Sequence, residues 1–177
     1  MCFFYRAIIY LNTIPARLKG MKIGRGSALG PGYDFLFVKL NNITLKDNVL
    51  IGRNAWLENI TNDACIIIDN NSNIGRFVTI SCASKITIGK KCLISYNVTI
   101  LDHDHNFKEL DIFTSGITKG AQIVIDDGCF IGAHSFILKG VHLGKNCVVG
   151  ANSVVTKSFE DNSIIAGNPA KFIKKRE

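Results

Sequence analysis

A six-residue rhythm of aliphatic residues constrains this chain more than any other feature. Ile125, Ile131, Ile137, Leu143, Val149 and Val155 follow one another at intervals of six without a break. Glycine follows three of them, as Gly132, Gly144 and Gly150. The rhythm is also present earlier, in Leu45, Ile51 and Leu57, in Ile68, Ile74 and Ile80, and in Ile88, Ile94 and Ile100. The register slips between these blocks, which implies short insertions at corners. A period of six fits neither a heptad nor plain strand alternation. It suits a short strand and a corner, repeated, with one aliphatic residue of each unit pointing inward. Asp47-Asn48, Asp69-Asn70, Lys90-Lys91, Asp126-Asp127 and Lys145-Asn146 supply corner residues that tolerate turn geometry. Stacked coils of this kind bury a continuous aliphatic column. Amphipathic helices would need spacings of three and four, which this region does not sustain.

Composition agrees with a single folded β domain. Hydrophobic residues make up 47% of the chain and charged residues 20%, which excludes a disordered polyelectrolyte. Six cysteines, at 2, 65, 82, 92, 129 and 147, form no C-x-x-C pair, so zinc-type spacing is absent. Cys65, Cys92, Cys129 and Cys147, each just before or within an apolar triplet, read as small buried hydrophobes of a reducing compartment, the cytoplasm. The net charge of +7 is partly terminal, with Lys171, Lys174, Lys175 and Arg176 near the end. No aromatic-rich RNA motif accompanies these cations, so nucleic acid is not expected as a partner. Met1 to Leu11 is apolar but too short to span a bilayer, and it lacks the marks of a signal peptide. Cys2 to Leu18 suits a short amphipathic helix ending near Lys19-Gly20. Packing on the body of the protein is its expected role, and peripheral membrane contact through this N-terminal segment is the alternative.

One stretch, Asp102 to Gln122, interrupts the rhythm, and loops of about twenty residues inside a regular coil are usually functional. It opens with Asp102-His103-Asp104-His105. Neutral imidazole is a base suited to physiological pH, and an adjacent carboxylate can fix its tautomer. The alternatives are a solvated polar loop, or a divalent-ion site formed by both histidines and both aspartates. The second lacks a distant third ligand.

Ile131-Gly132-Ala133, Val149-Gly150-Ala151-Asn152-Ser153-Val154-Val155-Thr156-Lys157 and Ala166-Gly167-Asn168-Pro169-Ala170-Lys171 carry a resemblance. The chain resembles the hexapeptide-repeat acyltransferases, in particular the galactoside, maltose and nodulation O-acetyltransferases and those of bacterial surface polysaccharides. The resemblance implies an all-β, left-handed parallel β-helix. Segments 1–20 (helical), 21–167 (β-helix with a protruding loop at 102–122) and 168–177 (basic tail) would make up the chain. It further implies a homotrimer with sites between subunits, acetyl-CoA as acyl donor, no metal, and a sugar or sugar-nucleotide acceptor. His103 matches the family's catalytic histidine and His105 the one after it, with a one-residue difference in spacing that keeps His105 a rival. Ala133 and Ala151 match backbone contacts to the pantetheine arm. Thr156 and Lys157 match the pair near the nucleotide, and Lys171 and Lys174 match basic residues facing its phosphates. Lysine where relatives have arginine keeps the charge but loses the bidentate fork. The expected activity is O-acetylation of a sugar or surface-polysaccharide precursor. The competing readings are N-acetylation of an amino sugar and a non-catalytic or metal-binding, carbonic-anhydrase-like β-helix. His134 and His142 fall on outward positions, the first beside the expected cofactor groove.

Overall fold

In a computed structural model, residues 11, 13–32, 40–106, 116 and 120–177 are described. The chain coils so that its successive strands fall on three sheets, parallel throughout except for the last strand. The first face holds β1 (Lys22–Ile23), β3 (Ile43–Leu45), β6 (Cys65–Ile68), β9 (Lys85–Ile88), β12 (Ile123–Ile125) and β15 (His142–Leu143). The second holds β2 (Ala28–Leu29), β4 (Leu50–Ile51), β7 (Asn73–Ile74), β10 (Leu93–Ile94), β13 (Phe130–Ile131), β16 (Val148–Val149), β18 (Ser163–Ala166) and β19 (Lys171–Lys175). The third holds β5 (Trp56–Asn59), β8 (Thr79–Cys82), β11 (Thr99–Leu101), β14 (Phe136–Ile137) and β17 (Val154–Val155). This is the all-β parallel helix that the six-residue rhythm predicts.

Register explains the rhythm. Ile51 lies beside Ile74, Ile94 beside Ile74 and Ile131, and Ile131 beside Val149. Each is buried, and together they form one of three aliphatic columns. Burying such side chains supplies the main driving force, at about 25 cal/mol per Å² of apolar surface removed from water. Cys92, Cys129 and Cys147 are buried two residues before Ile94, Ile131 and Val149 and extend the packing at one corner. Their thiols donate to carbonyls of the next coil, at 3.1 Å to Asp126, 3.1 Å to Gly144 and 3.2 Å to Glu160. All five described cysteines are free, whereas Cys2 lies outside the described residues.

The corners need left-handed backbone, and asparagine supplies most of it: Asn48, Asn54, Asn71, Asn97, Asn146, Asn152 and Asn162 all have φ between 54° and 61°. Two of the five corners read from sequence sit one residue later, at Asn70–Asn71 and Asp127–Gly128. The second residue of the pair takes the left-handed conformation, so Asn71 and Gly128 are the selected positions. Gly132 answers a different need. A Cβ there would meet the Ala151 nitrogen at 2.5 Å, so glycine permits the close approach of consecutive coils.

Two ends of the chain differ from simple expectation. Helix α1 (Thr13–Leu18) packs through Thr13 and Ala16 and stops at Gly20, whose φ is +93°. The remainder of the helix expected from Cys2 lies outside the described residues, apart from Leu11. The basic tail is a strand: β19 runs antiparallel to β18. A bulge between the partners of Ile164 and Ile165 sets Lys174 opposite Ile164 and Lys171 opposite Ala166. Lysines three apart would fall on opposite faces of a regular strand. The extra residue brings both opposite positions that share one face of β18.

Candidate active site

The site begins where the chain leaves the coil after β11. Ile100 points inward, and two residues later Asp102 does the same, fully buried. At the corner between the first and second faces, backbone N–H groups are met by neighbouring coils, as Gly24 N is by the Leu45 carbonyl above and Asn48 N by the Arg25 carbonyl below. Here the coil above departs, and the Asp102 side chain takes over. Its Oδ1 accepts from Ala83 N at 2.6 Å, and its Oδ2 accepts from Ser84 N at 2.8 Å. Cys82 Sγ lies 3.3 Å from Oδ2 and donates to it. Burial, and after it the charge of Asp102, push the Cys82 thiol well above the usual thiol range, so it remains a donor. The chain returns at Ala121, whose N–H donates to the Asp102 carbonyl at 2.8 Å.

His103 stands beside this anchor. Its Nδ1 is 3.2 Å from Asp102 Oδ1, and its side chain is only 9% exposed. With Nδ1–H donating to the carboxylate, Nε2 keeps its lone pair. Asp104 turns instead to Lys139 in the next coil, at 2.6 Å. His105 is exposed. Of the two candidate bases, the structure therefore holds His103 by a buried carboxylate. The remainder of the expected 102–122 loop, apart from residues 102–106, 116 and 120–122, lies outside the described residues. Among the described residues, no three His, Cys, Asp or Glu side chains are placed to hold a metal ion.

The other candidates fall into three groups. Ile100, Ile137 and Val155 lie in register on the third face, so Thr156 and Lys157 occupy the same corner of the stack as Asp102, two coils on. Both are exposed, and Lys157 Nζ lies 5.7 Å from the Phe159 ring centre. Ala133 and Ala151 share the opposite corner of that face, where Asn152 N donates to the Ala133 carbonyl at 2.9 Å. His134 is there too, edge-on to Tyr96 with ring centres 5.4 Å apart. Lys171 and Lys174 are exposed on β19 of the second face. One chain thus gathers His103, Thr156 and Lys157 at one corner and leaves Ala133 and Ala151 across a full face from them. His142 is exposed and sits 2.8 Å from Asp126 Oδ2.

Sequence reading missed Cys82, Lys139 and Asn59. Asn59 is buried next to Cys82 in register, and neither its Oδ1 nor its Nδ2 has a hydrogen-bond partner. The available signal was column position: Asn59, Cys82 and Asp102 each fall two residues after the aliphatic residue of the third face.

Residues 122–157 match the family described as hexapeptide repeat of succinyl-transferase. That stretch of the chain carries hexapeptide repeats. The repeat chain is 36% identical over 118 residues to the Escherichia coli protein WbbJ, named as a lipopolysaccharide biosynthesis O-acetyl transferase, covering 62% of the chain and 60% of WbbJ. It is 33% identical over 130 residues to galactoside O-acetyltransferase of Escherichia coli, covering 70% of the chain and 62% of that relative. The matches therefore span under two thirds of either relative. Among solved structures it resembles AntD, an N-acyltransferase from Bacillus cereus in complex with dTDP and 3-hydroxybutyryl-CoA. The TM-score is 0.75 at 22% identity, over 91% of this chain and 86% of AntD. A galactoside acetyltransferase in complex with coenzyme A gives a TM-score of 0.64 at 27% identity, over 75% of the chain and 64% of that structure. A coil of opposite hand would not superpose in this way, so the repeat chain shares the left-handed fold of the family it resembles in sequence.

Proposed function

We propose that the chain is an acetyl-CoA-dependent O-acetyltransferase acting on a sugar or surface-polysaccharide precursor, with His103 as general base. The observation that carries this reading is His103 beside the buried Asp102, at the corner where the 102–122 stretch interrupts the repeat. Nε2 of His103 takes the hydroxyl proton as the acceptor oxygen bonds to the thioester carbonyl carbon. The tetrahedral intermediate collapses by breaking the carbon–sulfur bond, and the leaving thiolate recovers the proton from the imidazolium. Asp102 accepts from Nδ1–H throughout and steadies the cation that forms. No side chain of the protein is acylated.

The donor reading rests on Ala133, Ala151, Thr156, Lys157, Lys171 and Lys174, which match the family's cofactor residues. Because these lie on different corners and faces of one chain, the reading calls for a homotrimer in which two subunits complete each site. Light scattering checks this, and a monomer at micromolar concentration rejects it. Replacing Lys171 and Lys174 together by alanine is expected to weaken coenzyme A more than its 3′-dephospho form. Equal losses would reject the phosphate contact.

The chemistry is tested by thiol release from acetyl-CoA against a panel of sugars and sugar nucleotides. His103→Ala is expected to lower kcat by about a hundredfold or more, the usual scale for a lost general base, while coenzyme A affinity holds. His105→Ala is expected to cost less, chiefly in KM for the acceptor. An inactive His105→Ala beside a near-normal His103→Ala would transfer the role to His105. An amide product from an amino-sugar acceptor, with hydroxyl acceptors unused, would favour the N-acyl reading.

A further inference from the structure

Helix α1 is turned the wrong way round for a helix that serves only the core. Soluble helices bury their apolar stripe. Here the residues facing the coil are Thr13 and Ala16, and the apolar ones face out: Leu11 is 59% exposed, Ile14 45% and Leu18 84%. Ile14 and Leu18, four apart, lie on one face of the helix, and Leu11 ahead of it is exposed as well. A strip of large aliphatic side chains is thus presented to solvent at the first coil, where α1 meets β1.

Charge identifies what the strip faces. Residues 1–33 carry Arg6, Arg17, Lys19, Lys22 and Arg25 and no acidic residue, the first being Asp34. Most of the net +7 of the chain therefore sits at this end. Arg17, Lys19 and Lys22 are exposed around the strip. The sequence before Leu11, outside the described structure, is Met1-Cys2-Phe3-Phe4-Tyr5-Arg6-Ala7-Ile8-Ile9-Tyr10, rich in large apolar and aromatic residues. Among the described residues no helix is long and apolar enough to cross a membrane. A second copy of this face would bring like charges together, which opposes self-association.

We propose that the N-terminal end of the coil, through the Leu11–Ile14–Leu18 strip and its flanking cations, docks on an anionic lipid surface. Apolar side chains enter the headgroup boundary while Arg17, Lys19 and Lys22 meet lipid phosphates, as amphipathic interfacial helices do. Docking at this end fixes the coil axis relative to the bilayer and holds the stacked corners at set heights above it. It is independent of the chemistry assigned to His103.

Co-sedimentation of the full chain with vesicles tests this. Equimolar phosphatidylcholine and phosphatidylglycerol vesicles are compared with pure phosphatidylcholine at low salt. Binding to the anionic vesicles is expected to exceed that to the neutral ones at least tenfold and to fall with salt. Leu11→Asp with Leu18→Asp is expected to lose at least tenfold of it with thermal stability unchanged, since both side chains are exposed. Arg17→Gln with Lys22→Gln is expected to weaken it by about fivefold per charge. Lys174→Gln with Lys175→Gln, at the other end, is expected to leave it unchanged. Failure of the intact chain to bind anionic vesicles would overturn the proposal. So would full binding by the double aspartate variant, or loss of binding in the Lys174/Lys175 variant. An assembly in solution that the aspartate substitutions dissolve, with vesicle binding intact, would assign the strip to another copy of the chain.

Discussion

Two corners of the coil use the same device and put it to different ends. At the corner between the first and second faces, an Asp or Asn side chain of one coil accepts from a backbone N–H of the coil below. Asp47 Oδ1 accepts from Arg25 N at 2.8 Å, Asp127 Oδ1 from Lys90 N at 2.7 Å and Asp161 Oδ1 from Lys145 N at 2.8 Å. At the corner between the third and first faces, Asp102 does this for Ala83 and Ser84. The difference is burial. The Asp47 side chain is 43% exposed and that of Asp102 is 0% exposed. Water can replace an exposed carboxylate, but nothing replaces a buried one. A carboxylate fixed in the interior by two backbone N–H groups and a thiol can then hold an adjacent imidazole, which a solvated corner cannot. The device that closes the coil in one place holds an imidazole in another.

The sharpest way to break this comparison is to remove both carboxylates in turn. Asp102→Ala leaves the part-buried N–H groups of Ala83 and Ser84 without their acceptor, at up to about 1–3 kcal/mol each. We expect a loss of about 4 kcal/mol in unfolding free energy, read by denaturant titration, with loss of activity. Asp47→Ala is expected to cost under about 1 kcal/mol, because Arg25 N can turn to water. Asp102→Asn separates the two roles. It is expected to retain part of the stability while activity falls, because the amide cannot serve as the anionic partner of His103. Comparable losses at positions 47 and 102 would remove the distinction.

A pH scan tests the buried donor. The folded-state pKa of Cys82 is raised by burial and by Asp102. For a raised pKa, the associated stability is fully present below the unfolded thiol value and is lost as pH rises toward the folded value. The unfolded thiol ionises near about 8.5, so by pH 10 the loss amounts to about 2 kcal/mol. Cys82→Ser keeps a donor that does not titrate. The fall in Tm between pH 8 and 10 is therefore expected to be shallower in Cys82→Ser than in the parent, and parallel slopes would exclude a titrating Cys82 from the anchor.

The wall of the coil was legible because burial repeats: Ile131, Ile137, Leu143, Val149 and Val155 each answer the same packing demand, so the demand shows in the spacing. The histidine pair was legible because it opens the one long break. The choice between Asp102 and Asp104 as partner was not, because both flank His103 and only the inward turn of Asp102 under the departing coil decides it. The outward apolar face of α1 stood only as the alternative to packing on the body, for a related reason. Leu11, Ile14 and Leu18 have the spacing of a core-facing stripe, and spacing does not say which way a stripe faces. Lys171 and Lys174 were paired by resemblance, but their common side of β19 comes from a bulge that local sequence does not announce.

The smallest effect is expected where the two corners should differ least, at exposed charge. Lys139 holds Asp104 at 2.6 Å, with side chains 38% and 47% exposed. Lys46 holds Asp69 at 3.0 Å on the first face. Solvent screens both pairs, and exposed ion pairs contribute roughly 0–1 kcal/mol. Lys139→Gln and Lys46→Gln should therefore change Tm by similarly small amounts, and added salt should shrink the difference from the parent in each case. Only the first pair sits at the start of the His103 loop. If the pair at Lys139 also steadies that loop, Lys139→Gln raises KM for the acceptor by a few-fold with kcat held, while Lys46→Gln leaves both unchanged. A kcat loss in Lys139→Gln as large as that in His103→Ala would show that this lysine touches the reacting groups rather than the loop. No kinetic change at all would reduce it to the same surface role as Lys46.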